Sequence, residues 1–451
     1  MLNRVLSEIG LVALYQSPTD VKLLCLQRFV RLFAYGASTL NLVMFLQTLG
    51  ISQLRIGLFM TLTLVGDVCM SLMLTMIADG IGRKVILALG AALMIGSGIA
   101  FSLCSDYWAL LAAAVLGVIS PSGNEIGPFR AVEESIVAHL TTPSNRSDIY
   151  AWYSLVGAAG TAFGVMTCGW VVQHLTDGLG WQIEKAYRVV FLAYAALGLV
   201  KFLLTLCLSS AVEAEKKPQK PIQGDAESAP LLGDRPIAVP EQPKQKASIR
   251  SLLPDISRSS LPVIVPLCLL FMMDSFASGL APLSYTTYFF RWKYSVAEGT
   301  LGTLFFVTSI IAAASTLVAS SIAKRFGNVK TMVFTHLPSA VFLALIPIPN
   351  NISLSMTFLI LRSCTQSMDV APRSAFLAAI ILPQERTAVM GLMNVLKTLA
   401  QSVGPSVTGA LVHSNLFWVA FLCSGSLKAA YDLGVLTLFK SHEHDRHREE
   451  E

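Results

Sequence analysis

The sequence predicts an all-α polytopic membrane protein, with twelve transmembrane helices arranged as two six-helix pseudo-symmetric bundles. Three observations carry this expectation. Hydrophobic residues make up 54% of the chain and charged residues only 14%, against roughly 25% charged in a soluble domain. Apolar runs of about 20 residues, each enough for a helix to cross ~30 Å of hydrocarbon, recur without period-two alternation, which points to helices and not to a barrel. A polar segment divides these runs into two groups of six whose landmarks repeat at matched spacing.

In chain order, residues 1–24 are expected to form a cytoplasmic N-terminal segment. Their apolar part is short and interrupted by Glu8, so it does not read as a cleaved signal peptide. Spans at 25–48, 54–77, 85–103, 107–136, 149–173 and 189–210 build the first bundle, 25–210. Residues 211–261, rich in Pro, Lys, Glu, Gln and Ser, cannot bury enough apolar surface to order themselves and read as a flexible cytoplasmic linker. Spans at 264–289, 300–322, 331–349, 352–381, 387–412 and 416–439 build the second bundle, 262–440. A charged tail, 441–451, is read as solvated, its histidines included. An even number of spans puts both termini on one side. The short loops there carry Arg83, Lys84, Arg146, Lys324, Arg325, Lys330 and Arg386, more cations than the opposite loops, so that side is expected to be cytoplasmic. Much of the net charge of +5 sits in such loops, which implies a bilayer and not nucleic acid. Eight scattered cysteines without a CxxC read as small apolar fillers. No metal site or cofactor is expected. The chain has no Walker A, nucleophile-elbow or HExxH sequence, so neither direct ATP drive nor an enzyme is expected.

The repeat is read from two landmarks. Gly57 to Gly82 and Gly302 to Gly327 are both 25 positions, and Arg146 to Gly164 and Arg386 to Gly404 are both 18. Parallel repeats about a pseudo-two-fold axis place a substrate at their interface near the midplane.

The stretch from Thr75 to Lys84 resembles the signature loop between helices two and three of the major facilitator superfamily, G-x-L-a-D-r-x-G-r-k. Asp79, Gly82, Arg83 and Lys84 match, whereas Thr75 and Gly80 depart. The second-half copy keeps Gly327 but has Lys324 in place of the acid. The resemblance covers the chain apart from linker and tails and suits a microbial or fungal member. It implies a secondary active transporter that moves a small organic solute by alternating access, coupled to protons, working as a monomer in the plasma membrane or an endosomal or vacuolar membrane. Asp79 can face the positive N-terminal end of helix eleven and a nearby Arg, latching the halves together; its plainer role, shared with Arg83, is to cap a tight turn. Lys324 cannot accept a hydrogen bond, so one stronger latch is expected. Gly160, Gly164 and Gly169 fit part of the antiporter signature G-x-x-x-G-P-x-x-G-G, with Val165 and Cys168 departing from it. That favours export slightly over import of a nutrient or organic anion, although close helix packing explains the glycines as well. A sensor or scaffold on the same fold is the reading from another class, and the short linker argues against it.

Ionisable residues inside a span cost roughly 2.5–3.5 kcal/mol each, so they point to a site. The resemblance puts spans one, four, seven and ten around the cavity. Arg362, Asp369 and Arg373 share one stripe of span ten. Span four, interrupted by Pro121 and Pro128, carries Asn124, Glu125, Arg130, Glu133 and Glu134. Glu125 with Arg130 and Asp369 with Arg373 are expected to form a quasi-symmetric pair that handles substrate or protons, with plain structural ion pairs as the alternative. For an anionic solute, Arg130 and Arg373 would grip it. Glu133 and Glu134 are expected to be solvated. Asp274 in span seven is expected to face Arg28 and Arg31 of span one as a gate, and Asp67 in span two either carries a proton or hydrogen-bonds a neighbouring helix. Lys428 and Asp432 read as a self-neutralised i,i+4 pair, and Lys201 as a snorkelling side chain. In the linker, Glu227, Leu231 and Leu232 match an acidic dileucine of the kind clathrin adaptors read.

Overall fold

The computed structural model describes residues 11–117, 119, 128–142, 145–213, 257, 260–382 and 385–449. After a short helix, Leu11–Gln16, the first half comprises α1 (Thr19–Thr48), α2 (Gln53–Ile81), α3 (Arg83–Leu103), α4 (Tyr107–Gly117), α5 (Pro128–Leu140), α6 (Arg146–Gln173) and α7 (Ile183–Leu206). The second half comprises α8 (Leu261–Leu280), α9 (Leu283–Tyr294), α10 (Glu298–Phe326), α11 (Asn328–Leu345), α12 (Ile352–Thr365), α13 (Val370–Ile380), α14 (Arg386–His413) and α15 (Phe417–Glu449). Spans seven and ten are thus each made of two helices, α8 with α9 and α12 with α13, and of span four the described helices are α4 and α5.

The sequence placed a break in span four and drew spans seven and ten as continuous. The structure corrects this. Pro282 lacks an amide N–H and disfavours a helical residue before it, and Ala281 accordingly leaves the helix at φ −129°, ψ 58°. Span ten breaks between Thr365 and Val370, and Pro372 then sits in the first turn of α13, where a missing N–H is harmless. The charged tail is also helical, since α15 continues to Glu449.

Among the described residues, eight helical segments are long and apolar enough to cross a membrane. The four spans that fall short are four, nine, ten and eleven. Spans ten and eleven are the ones into which the sequence puts Arg362, Asp369, Arg373 and Lys397; span nine carries His336. Spans four and ten fall short in length, since each is described as two shorter helices, of which Tyr107–Gly117 and Ile352–Thr365 are apolar.

The two halves pack alike. In the first, α1 lies on α6 and α3 on α7; in the second, α8 lies on α14 and α11 on α15. Small residues permit these approaches: a Cβ on Gly160 would sit 2.7 Å from the Phe29 carbonyl oxygen, and one on Gly98 2.6 Å from the Ala195 nitrogen. Gly160, Gly164 and Gly169 are therefore accounted for by packing on α1 and α10.

The halves meet through α2 on α14 and α6 on α10, at the end of the bundle away from the chain termini. A Cβ on Gly57 would lie 2.5 Å from the Pro405 carbonyl oxygen and 2.9 Å from the Gly409 Cα. The symmetry-related approach brings a Cβ on Gly302 to 2.9 Å from the Val165 carbonyl oxygen, with Gly169 beside it. The repeat landmarks Gly57 and Gly302 thus both stand where the halves touch backbone to backbone. Polar bonds reinforce the seal: Gln53 Nε2 donates to Tyr288 Oη at 3.0 Å, Trp170 Nε1 to Thr303 Oγ1 at 3.0 Å, and the Gly299 amide to Gln173 Oε1 at 3.0 Å.

Candidate functional site

Towards the end that carries the termini, the halves part around a cavity of about 950 Å³. Its first-half wall comes from α1 (Arg28, Tyr35), α5 (Arg130, Glu134) and α6 (Ser154, Thr161). Its second-half wall comes from α8 (Asp274, Ser278), α11 (His336), the broken span ten (Arg362, Gln366, Asp369, Arg373), α14 (Lys397, Gln401) and α15 (Lys428). The far end is sealed, so the cavity belongs to a state open towards the termini.

In the second half, Asp274 is the hub. Lys428 Nζ donates to its Oδ1 at 2.7 Å and also to Ser278 Oγ at 2.7 Å. Arg373 Nη1 lies 3.8 Å from its Oδ2, while Arg373 Nη2 pairs with Asp369 one turn earlier. His336 Nδ1 is 3.0 Å from both carboxylate oxygens of Asp432. Two wall cations are placed differently. Lys397 has its ammonium 5.6 Å from the centre of the Phe271 ring. Arg362 stands on α12, four residues ahead of the break. Among the described residues neither Arg362 nor Lys397 forms an ion pair.

In the first half the hub is an acid. Glu133 is 0% exposed. Arg31 Nη2 reaches its Oε2 at 2.6 Å, Lys201 Nζ its Oε1 at 3.4 Å, and the Tyr153 hydroxyl donates to it. The Arg28 guanidinium lies 4.1 Å from the centre of the Tyr153 ring. Glu133 and Arg373 stand 240 positions apart, the step that relates Arg146 to Arg386 and Gly164 to Gly404. Glu133 and Arg373 are therefore repeat equivalents of opposite charge: Glu133 lies among cations of spans one and six, and Arg373 between the acids Asp274 of span seven and Asp369 of span ten.

Of the residues singled out from sequence, Arg28, Arg130, Asp274, Asp369 and Arg373 line the cavity together. Arg130 pairs with Glu134 at 2.7 Å. Among the described residues Asp274 pairs with Lys428 and Arg373 of its own half and Arg31 with Glu133 of its own half, so the expected pairing of Asp274 with Arg28 and Arg31 is not formed in this state. Asp67 is fully buried in α2 and off the cavity wall. At Gly82, φ is 110°, a conformation suited to glycine. The amides of Arg83 and Lys84 that follow donate to the Glu213 carboxylate at 2.7 and 3.1 Å, and Lys84 Nζ caps the end of α7 through the Leu206 and Leu208 carbonyls. Asn124, Glu125, Glu227, Leu231 and Leu232 lie outside the described residues, as do the side chains of Asp79 and Lys324.

Several expectations are overturned. Glu133 is not solvated, because three partners from three other helices converge on it. Lys201 does not snorkel; it is 1% exposed and points at Glu133. Lys428 and Asp432 do not neutralise each other, since Asp274 takes the lysine and His336 the aspartate. His336 and Lys397 were missed, although an imidazole and an ammonium inside spans nine and eleven were the available signal.

The sequence matches the model of the Major Facilitator Superfamily over residues 24–296 and 267–451. It is 38% identical over 431 residues to the uncharacterized membrane protein YJR124C of Saccharomyces cerevisiae, covering 93% of this chain and 94% of the yeast protein. The fold is similar to that of a bacterial homolog of the human lysosomal transporter Spinster in an inward-facing, unoccupied conformation, with a TM-score of 0.66, 14% identity, and coverage of 93% of this chain and 97% of that one. It is also similar to the nucleoside transporter NupG, with a TM-score of 0.65, 14% identity, and coverage of 94% of this chain and 100% of that one.

Proposed function

Because the chain belongs to the major facilitator superfamily, as an integral multi-pass membrane protein with a transporter fold, we propose that it is a secondary active transporter of small organic anions, coupled to protons. The observation that carries the choice of solute is the pair of wall cations, Arg362 and Lys397, that form no ion pair among the described residues. The rest of the wall leans the same way. Arg28, Arg130, Arg362, Arg373, Lys397 and Lys428 face Glu134, Asp274 and Asp369, six cations against three carboxylates among the described residues. A cation in a low-dielectric wall is stabilised by a counter-ion, and a carboxylate or phosphate on the solute supplies one.

The packing supports alternating access. Rocking the halves about the Gly57–Gly409 and Gly169–Gly302 contacts would open the sealed end and close the cavity end. Asp79 and Arg83 remain the proposed latch of that closed state. Asp369 and Asp274 serve coupling: each shares Arg373, so a proton on either releases the guanidinium to the solute.

Solute-induced thermal stabilisation of the purified protein tests the choice of solute, since a ligand that binds only the folded state raises the melting temperature. Mono- and dicarboxylates or phosphate esters should stabilise, and Arg362→Gln should abolish the effect. Stabilisation by amines or neutral sugars alone would refute the anion reading.

A further inference from the structure

We propose that the buried His336–Asp432 pair is a proton-binding site, and that its occupancy decides whether Lys428 is held by Asp274 or by Asp432. The inference deepens the proton-coupled reading above and rests on it for its purpose, though its chemistry stands without a solute.

The pair is buried yet reachable. His336 is 4% exposed and Asp432 0%, but the imidazole also forms part of the cavity wall, so a proton can arrive from cavity water. Nδ1 is equidistant, at 3.0 Å, from both carboxylate oxygens. The Tyr431 ring stands at 90° to the imidazole with centres 6.1 Å apart, and Ser339 Oγ donates to the His336 carbonyl at 2.8 Å. Among the described residues the charged groups around the pair belong to the Asp274 hub or its margin: Asp274 on α8, Lys428 on α15, Arg373 on α13 and Lys397 on α14. On α10 the described charged residues stand at its ends, and Arg362 of α12 lies further along the wall.

Lys428 precedes Asp432 by four residues on α15, so both side chains project from one face. Its ammonium now sits on Asp274 and Ser278, which is possible because the imidazole attends to Asp432. In this bonded chain three carboxylates (Asp432, Asp274, Asp369) meet two bonded cations (Lys428, Arg373), with Lys397 at the margin against the Phe271 ring, and a proton on His336 gives Asp432 a cation of its own. When that proton leaves, Asp432 keeps only a neutral partner in a dry site, and Lys428 is the cation within reach. Its move leaves Asp274 with Arg373 alone. Arg373 is thereby drawn from Asp369, the residue that opens α13 at the break in span ten. A proton bound between spans nine and twelve thus reaches the solute wall through two exchanges of ion-pair partner. The i,i+4 pairing of Lys428 with Asp432 that the sequence suggests is the deprotonated arrangement.

Hydrogen–deuterium exchange of the full chain in lipid nanodiscs, with no solute, tests this at about pH 5.5 and pH 8, the range over which imidazoles change charge. After correction for intrinsic rates, peptides covering 366–373 should lose protection by about tenfold at the higher pH. His336→Gln and Asp432→Asn should each erase that difference, and His174→Gln, on the far side of the bundle, should keep it. A difference that survives in both variants, or is missing from the unmodified protein, overturns the proposal. Carbethoxylation of His336 by diethyl pyrocarbonate, followed by mass spectrometry, gives a reading on the unmodified chain should the variants misfold. Its reactivity must rise through one inflection at the pH of the exchange change, and a flat profile overturns the proposal. Flux that ignores a pH gradient while this response stands would refute proton-coupled transport and not the proton site.

Discussion

Glu133 lies beyond the reach of solvent because Arg31, Tyr153 and Lys201, on three other helices, supply its counter-charge and hydrogen bonds. Removing one member of such a group leaves the others buried and unmatched, which costs about 3–5 kcal/mol. Glu133→Gln should therefore lower the thermal stability of the detergent-solubilised protein substantially. Glu134→Gln, whose pair with Arg130 is partly exposed on the cavity wall, should change it by less than about 1 kcal/mol. At Arg362 the expected loss is of affinity and not of stability: Arg362→Gln should weaken anion binding by about tenfold or more, the worth of one charged hydrogen bond, read from solute-induced melting shifts. The sequence showed which spans carry charge but not which charges meet. Lys428 and Asp432 sit at ideal helical spacing, yet tertiary neighbours on α8 and α11 outcompete that local pair.

At the scale of helices, the two crossings of α2 on α14 and α6 on α10 decide which end of the molecule is closed. Gly57→Leu would drive a side chain into the Pro405 carbonyl and Gly409. It should part α2 from α14 and expose the sealed end. In a cysteine-free background, a cysteine at Ser406, whose amide now bonds Thr61 Oγ1 at 3.1 Å, should react several-fold faster with an impermeant maleimide. Gly96→Leu is the control, since a Cβ there meets nothing within 4 Å. The repeat of Gly57 and Gly302 was legible because spacing survives in sequence. The breaks in spans seven and ten were hidden although Pro282 and Pro372 were in view. Each lies inside a run apolar or long enough to pass for one helix, and hydropathy does not register backbone bonds.

Across the whole molecule, two six-span halves enclose one cavity, the Asp274 cluster on its wall and the Glu133 cluster buried off it. That architecture was legible as two groups of apolar runs divided by a polar linker. The excess of cations on the wall was not, because it depends on which face of each span turns inward, and spans seven and ten are not regular helices. Asp369→Asn removes a shared partner of Arg373 while keeping the side chain's shape. It should abolish accumulation of solute against a gradient yet leave solute binding measurable, as a comparison of flux with melting shifts would show. The central claim is that this cavity carries organic anions at the expense of a proton gradient. Its most direct test is uptake of radiolabelled carboxylates into proteoliposomes with an imposed pH difference. Uptake should follow the gradient, collapse with a protonophore, and be lost in the Arg362→Gln, Lys397→Gln double variant. Uptake of neutral or cationic solutes only, or anion uptake that persists in the double variant, would contradict the account.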